Sequence, residues 1–143
     1  MKKIQIALIA IMVDEYDDAI FYYTKKLNFK LIEDTIIEDN KRWVVLSPNG
    51  SKNCNIVLTK AVKTEQKDRV GNQTGGSAII ALETDDFRRD YINLMRNNVP
   101  IIEEPSIKNP YGKFLAFEDL YGNIWNLIEP IRDSKSEIKI LSN

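Results

Sequence analysis

Histidine is absent from this 143-residue chain. Its absence excludes Ser-His-Asp and Cys-His nucleophilic catalysis, and every metal site that needs imidazole. Cysteine is nearly absent as well: Cys54 stands alone, so no internal disulfide can form, which suits a reducing cytoplasm. Neither sign of charge is in excess, with 20 Lys and Arg against 21 Asp and Glu. A net charge of −1 gives no electrostatic case for nucleic acid or an anionic membrane as partner. No stretch approaches the ~20 apolar residues of a transmembrane helix. The nearest, Ile4 to Val13 after Met1-Lys2-Lys3, has a signal-peptide outline. It contains Gln5, however, runs into Asp14-Glu15 and lacks a small-residue cleavage pattern. It reads instead as a strand covered on both faces. A cytoplasmic protein is expected.

What is present is ordinary for a globular protein: 43% hydrophobic and 29% charged residues. The length allows one domain, or two small halves sharing a core. After the first strand, Asp14 is a candidate N-cap of a helix, with acidic residues in its first turn and Lys25 and Lys26 in its last. Tyr16, Ala19, Ile20, Tyr23 and Leu27 form its apolar stripe, and Asn28 ends it. Strands follow at Phe29 to Ile37, Arg42 to Ser47 and Asn55 to Lys60. Residues 62–76 are polar and hold glycines near their end, which predicts a linker or loop. Ser77 to Thr84 is the next strand, and Asp85 caps a helix carrying Phe87, Tyr91, Leu94 and Met95. Val99 to Glu103 is a strand that Pro100 pushes towards a sheet edge, and Pro105 to Pro110 is a loop. Gly112 to Glu118 and Ile124 to Glu129 are the last strands, joined by a tight turn at Tyr121-Gly122-Asn123. The tail beyond Pro130 is mostly polar, with Ile138, Ile140 and Leu141 as candidate anchors.

The order repeats itself. Val13-Asp14-Glu15-Tyr16 matches Thr84-Asp85-Asp86-Phe87 about 71 residues on, and Asn28-Phe29 matches Asn98-Val99. Asn55-Ile56-Val57-Leu58 answers Ile124-Trp125-Asn126-Leu127. A strand-helix-three-strand unit is present twice, giving modules at 1–61 and 77–130, a linker at 62–76 and a tail at 131–143.

With these pieces in place the chain resembles the vicinal oxygen chelate superfamily of glyoxalase I, extradiol dioxygenases, fosfomycin resistance enzymes and bleomycin-binding proteins. The resemblance rests on Val13-Asp14 through Phe21-Tyr22, on Leu27-Asn28-Phe29, on Arg42-Trp43-Val44, and on Tyr111-Gly112 through Trp125. The family prefers Leu-Gly-Phe where Leu27-Asn28-Phe29 stands, and Asp-Pro where Asp119-Leu120 stands. The resemblance implies an α+β fold: two βαβββ modules forming a cupped, mostly antiparallel sheet with helices outside and a ligand cavity inside. It also implies a homodimer, in some members with modules exchanged between chains. Metal-dependent relatives place His or Gln early in the first strand of a module and Glu in its last strand. The positions matching those are Leu8, Val57, Ile79 and Asn126. Aliphatic side chains offer a metal no lone pair and one amide is a poor ligand, so no metal or other cofactor is expected. Gln5 is the nearest substitute donor.

Two readings of function follow. In the first, Leu8, Val57 and Ile79 form an apolar cup, Asn126 orients a small organic ligand, and the protein sequesters that ligand as bleomycin-binding members do. Arg42 offers a bidentate contact to an anion, Trp43 a stacking platform, and Tyr111 a cover. The plainer roles are a surface ion pair of Arg42 with Glu38 or Asp39, a core place for Trp125 and Met12, a backbone or water partner for Asn126, and a structural Cys54. In the second, the chain is a glyoxalase- or dioxygenase-like lyase or isomerase with an atypical or absent metal site. Glu83 or Glu118 would then be the acid or base. Residue types alone leave open whether any reaction is catalysed.

Overall fold

The computed structural model describes residues 3–51 and 54–131. In chain order the elements are β1 (Leu8–Val13), α1 (Tyr16–Lys25), β2 (Lys30–Glu38), β3 (Lys41–Ser47), β4 (Asn55–Lys60), α2 (Thr64–Lys67), β5 (Ala78–Glu83), α3 (Phe87–Arg96), β6 (Ile101–Lys108), β7 (Gly112–Glu118) and β8 (Ile124–Glu129). They make two four-stranded mixed sheets, ordered β1-β4-β3-β2 and β5-β8-β7-β6. Each is a βαβββ module with one parallel pair, β1 with β4 and β5 with β8, and antiparallel pairs elsewhere. The chain divides into two compact units, Met1–Gly76 with Leu120–Asn123, and Ser77–Asp119 with Ile124–Asn143. The tail residues Ile138, Ile140 and Leu141 lie outside the described residues.

In the first unit alternation sorts each strand into two faces. Ile11, Val13, Val44, Leu46, Ile56 and Leu58 are almost wholly buried. They share a face by register and pack with Tyr16, Ala19, Tyr22 and Tyr23 of α1. The other face carries Leu8, Ala10 and Met12 of β1, none of them fully buried. The expectation that β1 is covered on both faces is therefore corrected: it is an edge strand with one buried side. It is also shorter than expected, beginning at Leu8 and leaving Ile4 and Ile6 exposed.

Helix ends are where residue type and geometry meet. The N-cap of α1 is Glu15, which makes no side-chain cap bond; that of α3 is Asp86, whose carboxylate accepts from Arg89 N–H at 3.1 Å. Both sit one residue later than expected, because Asp14 and Asp85 still belong to the strand-to-helix bend. The two helices leave through the same device. Asn28 and Asn98 adopt φ of 62° and 58°, the left-handed conformation that asparagine tolerates after a helix. The linker also holds more order than expected, since α2 lies within it.

In the second unit Trp125, Leu127, Phe117 and Leu115 share one buried face, and Phe114 and Ala116 are buried on the other side of β7. Trp125 stacks on Phe117 at 6.0 Å and donates its indole N–H to buried Asp119 at 2.9 Å. Glu129, on the same face, accepts from Phe87 N–H at 2.7 Å, which anchors the start of α3. The expected loop at Pro105 to Pro110 is largely strand: β6 runs to Lys108. Pro105 is tolerated because β6 is an edge strand and the register shifts between Glu103 and Ser106.

Candidate functional site

The register brings the four family positions into two neighbouring pairs. Leu8 lies opposite Asn55, and Ala10 opposite Val57, so Leu8 and Val57 share the helix-free face of the first sheet on adjacent strands. Val45, opposite Val57, extends that face to β3, and Trp43, opposite Thr35, lies two residues along it. Trp43 is 36% exposed, so much of its ring is open. Met12 is half-buried on this face rather than in the core.

On the second sheet Asn126 stands between Ala81 of β5 and Ala116 of β7, with Glu103 beyond Ala116. Its neighbours along β8 on that face are Ile124 and Ile128. Ile79 is two residues before Ala81, at a register shift. The Asn126 carboxamide makes no hydrogen bond with the described residues. Asn126 is half-buried between Ala81, which is exposed, and Ala116, which is buried, a donor and acceptor on an otherwise mostly apolar row.

Tyr111 follows β6 and is 44% exposed, with its ring 5.7 Å from that of Phe114. The Lys108 ammonium lies 4.5 Å from the centre of the Phe114 ring and pairs with Glu103. These residues border the row that holds Asn126, since Phe114 lies opposite Ile128.

Arg42 lies apart from all of these. It is on the helix side of β3, where its guanidinium bonds Asp34 at 3.0 and 2.6 Å and Asp17 at 2.8 Å, over the Tyr16 ring at 5.2 Å. Those hydrogen bonds raise its pKa further, so it is always charged. The partners are Asp34 and Asp17, not Glu38 or Asp39; the former lies across a β-pairing and the latter on α1, neither adjacent in sequence.

The carboxylates do not converge. Glu83 lies opposite Ile128 and Glu118 opposite Ile124, on different sides of β8. Four residues of strand and two strand spacings separate them, about 15 Å, too far to share a proton or a substrate atom. No group of three His, Cys, Asp or Glu side chains among the described residues is arranged to hold a metal ion. Gln5 lies before β1 and is exposed. The residues present do not fit the ion that metal-dependent relatives carry.

A recess of about 590 Å³ beside the start of α1 is of another kind. Asp14, Glu15, Asn40, Lys60 and Lys67 line it together with Ala61 and Val62, and Lys60 pairs with Glu15 at 3.2 Å. Its lining is mixed, polar and apolar in equal part. Sequence reasoning missed Gln73, whose side chain bonds the backbone of β1; nothing in a polar linker marks one glutamine above the rest.

The fold agrees with comparison to known proteins. Residues 5–127 match the family described as the Glyoxalase/Bleomycin resistance protein/Dioxygenase superfamily, and the chain belongs to it. An uncharacterized protein of Shewanella frigidimarina (strain NCIMB 400) is 46% identical over 128 residues, 89% of this chain and 94% of the relative. Among solved structures, UcmS2 superposes with a TM-score of 0.76 at 25% identity, over 89% of this chain and 98% of its own. TnmS3, an antibiotic binding protein from Streptomyces sp. CB03234, does so with a TM-score of 0.72 at 24% identity, over 92% and 99%. No helix among the described residues is long and apolar enough to cross a membrane.

Proposed function

We propose that this chain binds a small organic molecule on its helix-free sheet faces without a metal ion, sequestering the molecule rather than transforming it. The observation that carries this reading is Asn126, an amide without a partner among the described residues, set between two alanines on a mostly apolar row. Apolar surface with a few placed polar groups is the usual composition of organic-ligand sites. Leu8, Val57, Ile79 and Trp43 supply apolar and aromatic surface, and Tyr111 an exposed phenol. Arg42, committed to Asp34 and Asp17, acts through the scaffold. TnmS3 shows that this fold accommodates an antibiotic; at 24% identity the likeness carries the fold alone.

The reading extends to a cytoplasmic homodimer, with module exchange as one way to form it. Exposed apolar side chains stand on the edge strand of each sheet, Leu31, Ile32, Ile36 and Ile37 on β2 and Ile102 and Ile107 on β6, and a second copy would cover such edges. Light scattering tests this, with a dimer mass expected.

Thermal denaturation against divalent metals and small aromatic or antibiotic compounds tests the main proposal. A ligand at a hundred times its Kd adds about 2.7 kcal/mol, raising Tm by about 5–10 °C. Asn126→Ala should weaken that ligand about fivefold to tenfold while leaving the melting point of the free protein nearly unchanged. A comparable rise with manganese, zinc or iron alone would overturn the metal-free reading and favour the enzymatic one.

A further inference from the structure

β1 ends its sheet, and no strand of the described residues pairs with its outer edge. Asn55 and Ala61 donate to the carbonyls of Ala7 and Val13, so odd-numbered residues face β4. Leu8, Ala10 and Met12 therefore aim their N–H and C=O groups outward. The Gln73 side chain meets two of these groups at once. Its Oε1 accepts from Met12 N–H at 2.9 Å, and its Nε2 donates to the Ala10 carbonyl at 2.7 Å. A strand residue in a parallel ladder makes the same pair of bonds to positions flanking its partner. The amide thus stands in for a peptide unit opposite Ile11.

The loop that carries Gln73 is itself held. Gln66 accepts from Val62 and Lys63 N–H at 2.9 and 3.0 Å. Gly71 is so close to the Tyr121 carbonyl that an added Cβ would lie 1.9 Å from its oxygen. The edge thus covered, Leu-Ile-Ala-Ile-Met-Val, is six residues long with no charge and no proline. Such a segment pairs readily with copies of itself when its backbone is open.

We propose that Gln73 guards the outer edge of β1, and that withdrawing it lets the β1 strands of two chains pair. This inference stands independently of the ligand reading. It is tested on the full chain by residue-resolved amide exchange and by light scattering across a concentration series. In the unaltered protein Met12 N–H should exchange more slowly than Ala10 N–H, which has no such partner. Gln73→Ala should speed Met12 exchange about fivefold to tenfold, the loss of one hydrogen bond, and give a mass that grows with concentration. Gln73→Glu should also speed Met12 exchange, because its carboxylate, although still an acceptor for Met12 N–H, is repelled by the Ala10 carbonyl that Nε2 satisfied. It should nevertheless keep the original mass, since a charge at the edge deters pairing. Equal exchange of Met12 and Ala10 in the unaltered protein overturns the proposal, and that comparison stands even if a variant fails to fold. A Gln73→Ala protein that folds and keeps the original mass at every concentration overturns it equally.

Discussion

Arg42 shows how one side chain can tie a strand, its neighbour and a helix. Its bidentate bond to Asp34 and its third bond to Asp17 join β3, β2 and α1, and the Tyr16 ring beneath excludes water from one side. Arg42→Ala should cost about 1.5–3 kcal/mol in urea denaturation, the range for hydrogen bonds to charged groups. Asp17→Asn should cost much less, because the Asp17 side chain is 85% exposed. Tyr121 gives a different signature. Burial raises its pKa above the ordinary phenol value, while its hydroxyl accepts from Glu15 N–H at 3.3 Å. The unfolded chain therefore ionises first, and stability falls as pH rises past about 10. Tyr121→Phe should lower stability at neutral pH and flatten that alkaline slope. The raised pKa of Tyr91 keeps some slope in the variant. The family resemblance picked out Leu8, Val57, Ile79 and Asn126, and strand alternation places Leu8 and Val57 on one face of adjacent strands. The partners of Arg42 were not legible in the sequence, since cross-strand and helix-to-strand contacts leave no local mark.

At the scale of elements, legibility followed periodicity. Both long helices and all eight strands were readable from apolar spacing and turn residues, and Asn28 stands just past the end of the first helix as expected. Errors fell where local preference was overridden. Pro105 suggested a loop, yet an edge strand with a register shift absorbs it. Ile4 to Leu8 suggested strand by composition, but the register of β1 with β4 begins at Leu8 opposite Asn55, and before it Cys54 and Asn55 N–H donate to the Ile6 and Ala7 carbonyls, which lie outside any strand. Gly71 is the element-scale counterpart of these cases. It combines a φ of 75° with close backbone contact, whereas Gly122 has a φ of 94° and open space around it. Gly71→Ala should therefore destabilise by about 2–3 kcal/mol, and Gly122→Ala by about 1 kcal/mol. Comparing the two denaturation midpoints checks the order.

The whole molecule was legible through its repeat. Two copies of one strand-helix-three-strand order predicted two equivalent modules, and the structure has them as two four-stranded sheets of matching strand order. The ligand was not legible, because residue types define a surface and not the molecule that meets it. One whole-chain consequence is testable directly. With no histidine, no unperturbed side chain changes charge between about pH 5.5 and 7.5. Affinity for a neutral ligand should therefore stay level across that window in calorimetry, in contrast to an imidazole-based site, which would lose its metal on the acid side.

The alanines on either side of Asn126 separate two properties that binding sites usually mix. Bulk is set by the pair of methyls, and polarity by the amide, on three strands about 4.8 Å apart. Lengthening either alanine would roof over the amide and shut out broad molecules while sparing narrow ones. Exchanging the amide would instead change which chemical group is welcomed at unchanged width. Single substitutions there would retune width and polarity separately, without disturbing the buried side chains Trp125 and Leu127 on the far side of the sheet.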